Sequence, residues 1–334
     1  MVDIVILGAG AVGSFAGLGW AGADASLRVT LLGREGVIAG LRTAPPRLSD
    51  ARGAAPPAGP VRLATDPAAS AVLAGADLVV LAVKAPALAA AMDEVERHAP
   101  PFAPIASLLN GLDPVRQLRA RFGNRAVIAG TVPFNVVWRG PAHLHRTGTG
   151  EIALERHALT ERLKAGGAAV ELHDDLAPLQ RGKLLVNLVN PINALAGVPL
   201  HATLSEQGYR RVFAASIAEA LAAFRAAGLP WTAVGPTDPR MARLALRAPD
   251  WLFDRLVLRR QNLDPSSMTS MATDLAAGRE TEIDAITGEV LRTARDAGIP
   301  APVNERLFAL VRAVERGERE GGLSPKALCR EVGL

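Results

Sequence analysis

Lys183, Asn187 and Asn190 stand at i, i+4 and i+7 in the segment GKLLVNLVNPINAL. On a helix that spacing places an ammonium and two carboxamides on one face, with leucines and valines beside them. Such a polar stripe is costly to bury without a purpose; the competing explanation is a snorkelling lysine on a solvated face. The choice of residue is informative. Only Lys84, Lys164, Lys183 and Lys326 are lysines among the 37 basic residues. Arginine supplies charge but no transferable proton, whereas an ammonium supplies both.

A second chemically loaded stretch is PSSMTSMATDLAAGRETEIDAITG, where Ser270, Asp274, Thr281, Glu282 and Asp284 put hydroxyls and carboxylates ahead of an apolar helix face. Helix capping and a charged first turn account for that spacing equally well. His143 and His145 suggest a metal pair or a general base, but no third ligand lies near them in sequence. Structural or exposed histidines are the expectation, and no metal is expected. The single cysteine, Cys329, excludes an internal disulfide and a cysteine-built zinc site.

The third group is the N-terminal VDIVILGAGAVGSFAG. The apolar run Ile4–Leu7 has the length and β-branched character of a buried parallel strand. It breaks into Gly8-Ala9-Gly10-Ala11-Val12-Gly13, a G-x-G-x-x-G opening a helix. Gly8 is assigned the tight turn, Gly10 the close approach of a pyrophosphate, and Gly13 the packing of helix on strand. The free N–H groups and dipole of the helix would hold the phosphates. A dinucleotide bound there supplies a hydride but no proton, so a proton donor must come from elsewhere in the chain.

These groups require a Rossmann frame. The second strand, Val29–Leu32, ends at Gly33-Arg34, where an NAD-binding fold would carry an acid; an arginine suits a 2′-phosphate, although Glu35 follows it. Leu78–Val83 ends in Lys84, and another strand leads to the turn Asn110–Gly111. Residues 43–68 are rich in proline, glycine and alanine and read as loops with short extended pieces. Ala126–Gly130 is a further strand, and the alternation around His143, His145 and Ile152 suggests antiparallel strands finishing the sheet. From about residue 175 the chain is helix after helix, with Pro191 kinking one and Gly197 near its end. The expectation is an α/β chain with an N-terminal Rossmann-type dinucleotide-binding domain over 1–173 and an all-helical C-terminal domain over 174–334.

With 334 residues, 49% of them hydrophobic, the chain can bury cores in two domains. The net charge of +4 comes from arginines scattered singly among very few aromatics, which argues against nucleic acid as partner. No apolar run is long enough to span a bilayer and no signal peptide is evident, so no membrane association and a cytoplasmic location are expected. The irregular stretch 236–262, with Trp251, Leu252 and Phe253 together, suggests a homodimer contact.

Taken with GAGAVGS at the N-terminus, VKA at 83–85, NG at 110–111, KLLVN…NP…AL at 183–195, SM..D at 270–274, GRETEID at 278–284 and AGIPAPVNERL at 297–307, the chain resembles the ketopantoate reductase (2-dehydropantoate 2-reductase) family over nearly its full length. The resemblance implies an NADPH-binding Rossmann domain, a helical second domain and a cleft active site. It makes Lys183 the proton donor, Asn187 a substrate-binding asparagine, Ser270 a contact to the substrate carboxylate and Glu282 the cleft glutamate that also meets the cofactor. Arg34 and Lys84 then match the 2′-phosphate end of NADPH, and Asn110 a cofactor contact. Two positions depart from some members. The second asparagine, Asn190, follows Asn187 by three residues rather than four, with Asn193 able to share its role, and a polar substrate contact is replaced by Leu200. The function implied is NADPH-dependent reduction of 2-dehydropantoate to (R)-pantoate, in pantothenate and coenzyme A biosynthesis. The alternatives are reduction of another small 2-oxo acid, or a non-catalytic NADP(H) sensor on the same scaffold.

Overall fold

A parallel strand covered on both sides must be apolar at every position, and β1 (Val2–Leu7) meets that demand with one exception, Asp3. Successive side chains serve opposite layers: Ile4 and Ile6 join one core, Val5 and Leu7 the other. The same division recurs in β2 (Leu27–Leu32) and in the strand Leu78–Leu81. The structure, a computed structural model, describes residues 1–50, 53, 55–234, 239–259 and 266–334. It divides into two compact units, Met1–Ala177 and Pro178–Leu334. No helix among the described residues is long and apolar enough to cross a membrane.

The first unit adds β3 (Arg47–Asp50), β4 (Arg62–Ala64), β5 (Leu78–Leu81), β6 (Ile105–Ser107), β7 (Val127–Thr131), β8 (Asn135–Gly140), β9 (His143–Thr147), β10 (Ile152–Glu155) and β11 (Val170–His173). Its helices are α1 (Ala11–Ala23), α2 (Glu35–Arg42), α3 (Ala69–Ala74), α4 (Leu88–His98), α5 (Asp113–Arg121) and α6 (Ala158–Ala165). The main sheet runs β11-β10-β7-β6-β5-β1-β2-β4, parallel from β4 to β7. Its order reverses between β1 and β5, the crevice where doubly wound sheets bind ligands.

Two local expectations change. One short extended piece of the proline-rich stretch is a Rossmann strand, β4, three residues long and paired outside β2 rather than lying in an excursion between strands; an edge position needs no long apolar run. Of the late strands only β10 joins the main sheet antiparallel to β7, followed by β11 alongside it. His143 and His145 instead lie on β9, the centre of a separate sheet in the order β3-β9-β8. There Ser49 Oγ lies 2.7 Å from His143 Nε2 and 2.9 Å from His145 Nδ1, so both rings are engaged by a serine.

The second unit is helical throughout its described residues: α7 (Ala177–Asn187), α8 (Val189–Ala196), α9 (Leu200–Ser205), α10 (Gln207–Ala226) and further helices including Ser270–Ala276, Glu289–Asp296 and Pro302–Glu315. α7 and α8 would be one helix but for Pro191, which has no N–H for the Asn187 carbonyl; the chain steps at Leu188. Gly197, at φ +67°, then ends α8 with its N–H on the Asn193 carbonyl at 3.0 Å.

Two polar groups of α10, one buried and one half-buried, hold the helices together. Arg210, fully enclosed on α10, donates to the carbonyls of Leu204, Ser205, Leu246 and Ala248 and to Asp250, and its guanidinium lies 4.4 Å from the Phe253 ring centroid. Glu219 of the same helix accepts from the N–H groups of Val303 and Asn304 at 2.9 and 3.0 Å, capping Pro302–Glu315 from outside. The Asn304 side chain bridges Ser216 and Glu219, so the VNERL motif is a packing device here. Asn304→Ala leaves the Ser216 hydroxyl and a Glu219 oxygen short of partners. Chemical denaturation is expected to show a loss of roughly 2–3 kcal/mol, the scale of breaking a buried polar network; a loss near zero would show that water replaces the amide.

Candidate active site

The glycines of the first turn differ in what surrounds them. Gly8 has φ +110°, and a Cβ there would lie 2.6 Å from the Ala82 and Val83 backbone, so side chain and conformation are both excluded. Gly13 faces the Gly8 carbonyl, with Ile6 and Ala82 close behind, and lets α1 rest on the sheet. Around Gly10 the picture is opposite: a Cβ would meet no protein atom within 4 Å. Gly10 is the exposed N-cap of α1, and the first-turn amides after it, from Ala11 through Gly13, have no acceptor within the helix. Ser14 closes the turn by donating to the Ala9 carbonyl at 3.0 Å. The turn is thus tightly constrained where it meets protein and open where a phosphate would come.

The other cofactor candidates leave the same edge of the sheet. Arg34 follows β2 as the exposed N-cap of α2, while Glu35 turns into the helix and pairs with Arg42 at 3.7 Å. Lys84 follows β5, exposed at the head of a short turn, and Asn110 follows β6, half-buried beside Gly111 at φ +84°. With the glycine turn after β1, four adjacent strands contribute these residues at their carboxyl ends.

In the second unit, Lys183 is set by the residue before it. A Cβ on Gly182 would overlap the Thr232 carbonyl, so only glycine lets α7 lie against the segment around Thr232. The Thr232 N–H to Pro178 carbonyl bond (2.9 Å) and the Arg181 to Pro230 carbonyl bond (2.7 Å) fasten the contact. Lys183 keeps some solvent access, yet the protein around its ammonium displaces enough water to lower its pKa from 10.5 to about 8. Desolvation is the larger effect, and the Glu282 carboxylate opposes it. Lys183 and Glu282, 99 positions apart in sequence, therefore share one electrostatic environment. Glu282 stands two residues ahead of a turn of π-helix, Asp284–Gly288, a local widening that is often found at functional sites and has no sequence signature here.

The asparagines divide sharply. Asn187 is half-buried at the end of α7, and Asn190 is 9% exposed in the first turn of α8. Among the described residues neither carboxamide has a hydrogen-bond partner. Asn193 is fully buried and fully used: Nδ2 donates to the Val198 carbonyl (2.7 Å) and Thr203 Oγ1 (2.9 Å), and Oδ1 accepts from Thr269 N and Oγ1, both at 3.0 Å. Asn193 therefore has nothing left for a substrate, which removes it as a stand-in for Asn190. Helix capping at Ser270 also moves by one residue. Thr269 is the cap, accepting from Ala272 N at 3.2 Å, and Ser270 is exposed at the first helical position. Asp274 is buried against Arg279 at 2.8 Å. Leu200 opens α9, its N–H on the Ser267 carbonyl at 2.8 Å.

Of the apolar cluster suggested as a dimer contact, Phe253 is core, 3% exposed beneath Arg210. Trp251 is 70% exposed and Leu252 partly so, while 236–238 and 260–262 lie outside the described residues.

Residues 4–158 match the family described as Ketopantoate reductase PanE/ApbA, and residues 175–315 match Ketopantoate reductase PanE/ApbA C terminal. The chain belongs to the ketopantoate reductase family. Its members are oxidoreductases that bind NAD(P)H. The 2-dehydropantoate 2-reductase of Halobacterium salinarum is 28% identical over 324 residues, covering 94% of this chain and 99% of that one. That of Pyrobaculum aerophilum is 30% identical over 209 residues, 62% and 67% of the two chains. A crystal structure of a PanE/ApbA family ketopantoate reductase from Ralstonia eutropha JMP134, 27% identical, covers 96% of this chain and 100% of that chain with a TM-score of 0.77.

The glycine geometry separates folding from binding. Gly10→Ala is expected to cost about 0.5–1.5 kcal/mol of stability, the scale of losing a favoured N-cap residue to alanine, while the protein still folds, and to weaken the dinucleotide by crowding its phosphates. Gly8→Ala should fail to fold normally. Thermal melts with and without NADPH check both; equal ligand-induced stabilisation in Gly10→Ala and wild type would place the phosphates elsewhere.

Proposed function

We propose that the chain reduces 2-dehydropantoate to (R)-pantoate with NADPH, a step toward pantothenate and coenzyme A. The observation that carries this reading is Lys183, its pKa drawn down to about 8 with Glu282 as counter-charge, on the helical path that also presents the unspent amides of Asn187 and Asn190. The open Cβ space at Gly10 and the free first-turn amides of α1 fit a dinucleotide pyrophosphate. Arg34 and Lys84 are the residues to hold a 2′-phosphate, and Asn110 a further contact.

NADPH, when bound, supplies the hydride for the carbonyl carbon of the 2-oxo acid. As charge accumulates on the carbonyl oxygen, the Lys183 ammonium stabilises it and then gives it a proton. Asn187 and Asn190 hold the substrate by hydrogen bonds without competing for that proton, and Ser270 offers its hydroxyl to the carboxylate. Glu282 keeps Lys183 charged against the pull of burial and also serves as a cofactor contact. A pKa near 8 suits a donor at neutral pH: the ammonium is mostly formed, yet surrenders its proton more readily than a free lysine.

A second reading, the same chemistry on another small 2-oxo acid, is supported by Leu200, which offers no polar group where the family resemblance implies one. NADPH oxidation measured against a panel of 2-oxo acids separates the two. Tight NADPH binding with no oxidation of any acid would instead favour a binding-only sensor.

Removing a positioned acid typically costs about 10²–10⁴-fold, so Lys183→Ala should lose that much kcat while still binding NADPH, and Lys183→Arg should stay well below wild type. The wild-type rate should be steady on the acid side of pH 8 and fall as pH rises through about 8, where Lys183 loses its proton. Glu282→Gln removes the charge that favours the ammonium, moving this limb to lower pH. Near-normal turnover in either lysine variant, or a limb that Glu282→Gln leaves in place, would exclude Lys183 as the acid.

Arg34→Ala tests the cofactor. Losing a hydrogen bond to a charged group should weaken NADPH roughly tenfold to a hundredfold and leave NADH almost unchanged. Equal weakening of both, in fluorescence titrations, would show that Arg34 does not meet the 2′-phosphate.

A further inference from the structure

We infer that Asn193 is a positioning residue for substrate binding: it locks Ser270 in register with Asn190. This inference rests on the 2-oxo acid reductase reading. Asn193 lies three residues after Asn190 on α8, on a neighbouring part of the same helix face. Its side chain is completely buried, and each hydrogen-bonding direction of the carboxamide is spent on a different anchor. The oxygen takes both the backbone N–H and the hydroxyl of Thr269 at 3.0 Å. The nitrogen reaches the Val198 carbonyl at 2.7 Å and Thr203 Oγ1 at 2.9 Å.

Packing alone would join these helices, but it would not define where Thr269 sits. Two bonds converging on one oxygen do, and Thr269 is covalently followed by Ser270. Thr269 Oγ1 at the same time caps the Ser270–Ala276 helix through Ala272 N, so a single hydroxyl couples the asparagine to the helix start. The other half of the amide anchors the loop between α8 and α9, whose Leu200 N–H is bonded to the Ser267 carbonyl. The segment ahead of Ser270 is thus tied to the α8 region at two points, one through the Asn193 side chain and one through the backbone of α9. A substrate gripped at one end by Asn190 and at the other by Ser270 requires that separation to be held closely, since displacements on the order of 1 Å cost substantial rate or affinity.

The test compares substitutions on the two halves of the amide. In Asn193→Ala the KM for the 2-oxo acid should rise about tenfold, the equivalent of one misplaced hydrogen bond, with kcat changed by less than about threefold and the NADPH Kd unmoved. Thr203→Val removes an anchor of Nδ2 but leaves both bonds to Thr269, so its KM should stay within about twofold of wild type even where its melting temperature falls. If Asn193→Ala does not fold, Thr269→Ala, which keeps the backbone donor and loses the hydroxyl, should raise KM about threefold, and Thr269→Ser should restore it. A merely structural role would lower melting temperatures in all of these without this pattern in KM. An unmoved KM in Asn193→Ala (or in Thr269→Ala in its place), or an equal rise in Thr203→Val, overturns the inference while wild-type turnover still upholds the reading. Absence of 2-oxo acid reduction by the wild type overturns the reading itself, and the inference with it.

Discussion

The dehydration of one ammonium is the constraint on which the helical unit depends. In the proposed reaction Lys183 must be surrounded closely enough to become a willing proton donor, yet remain charged enough to stabilise an oxyanion. Burial lowers its pKa and Glu282 pushes back, leaving it near 8. Either influence alone would spoil the balance: without the carboxylate the lysine would tend to neutrality, and in open water it would hold its proton too firmly. Gly182, Pro191 and the π-helical turn after Glu282 are local irregularities around this one requirement. Gly182 permits a close contact beside Lys183, while Pro191 and the π-turn break the regular helix beside Asn190 and Glu282.

The first unit meets a simpler demand, exposure of backbone donors. Its glycines work by opposite means, since Gly8 and Gly13 permit contacts closer than any side chain allows, and Gly10 keeps space clear. The open first-turn amides are consequently held by a turn whose buried side is closely packed, with β1 and β5 beneath it. Preorganisation of this kind limits what must be ordered when a dinucleotide arrives.

Several of the features by which the chain resembles its family prove to be architectural. Asn304, in VNERL, bridges Ser216 and Glu219 at the start of a helix, and Asp274, in the SM..D stretch, is neutralised by Arg279. Both residues are buried and hydrogen-bonded, so that replacing either strands a partner. A motif can therefore identify a family through its scaffold while the reacting groups occupy neighbouring positions. Arg210 is the extreme case: it is wholly buried, spends its guanidinium on four carbonyls and a carboxylate, and no motif points to it.

Periodicity, glycine placement and proline placement carried much of the fold. The apolar run Ile4–Leu7 could only be a covered strand, G-x-G-x-x-G could only be a strand-to-helix turn, and Pro191 had to interrupt its helix; these follow from local sterics and burial, which a linear sequence records. The three-residue β4 is legible only as one of the short extended pieces of 43–68, because an edge strand needs so little apolar sequence, and the separate sheet of β9 is not legible, because pairing partners are not local information. At the site, spacing alone suggests one helix face for Lys183, Asn187 and Asn190; the structure ends α7 at Asn187 and puts Asn190 on α8. Spacing could not show that Glu282, 99 residues on, would share the field of Lys183. Nor could it show that Asn193 would be consumed by Thr203 and Thr269 while Asn190 kept its amide unspent. Residue type determines what a group can do, but burial, neighbours and the count of satisfied hydrogen bonds decide what it does, and these exist only once distant segments are packed together.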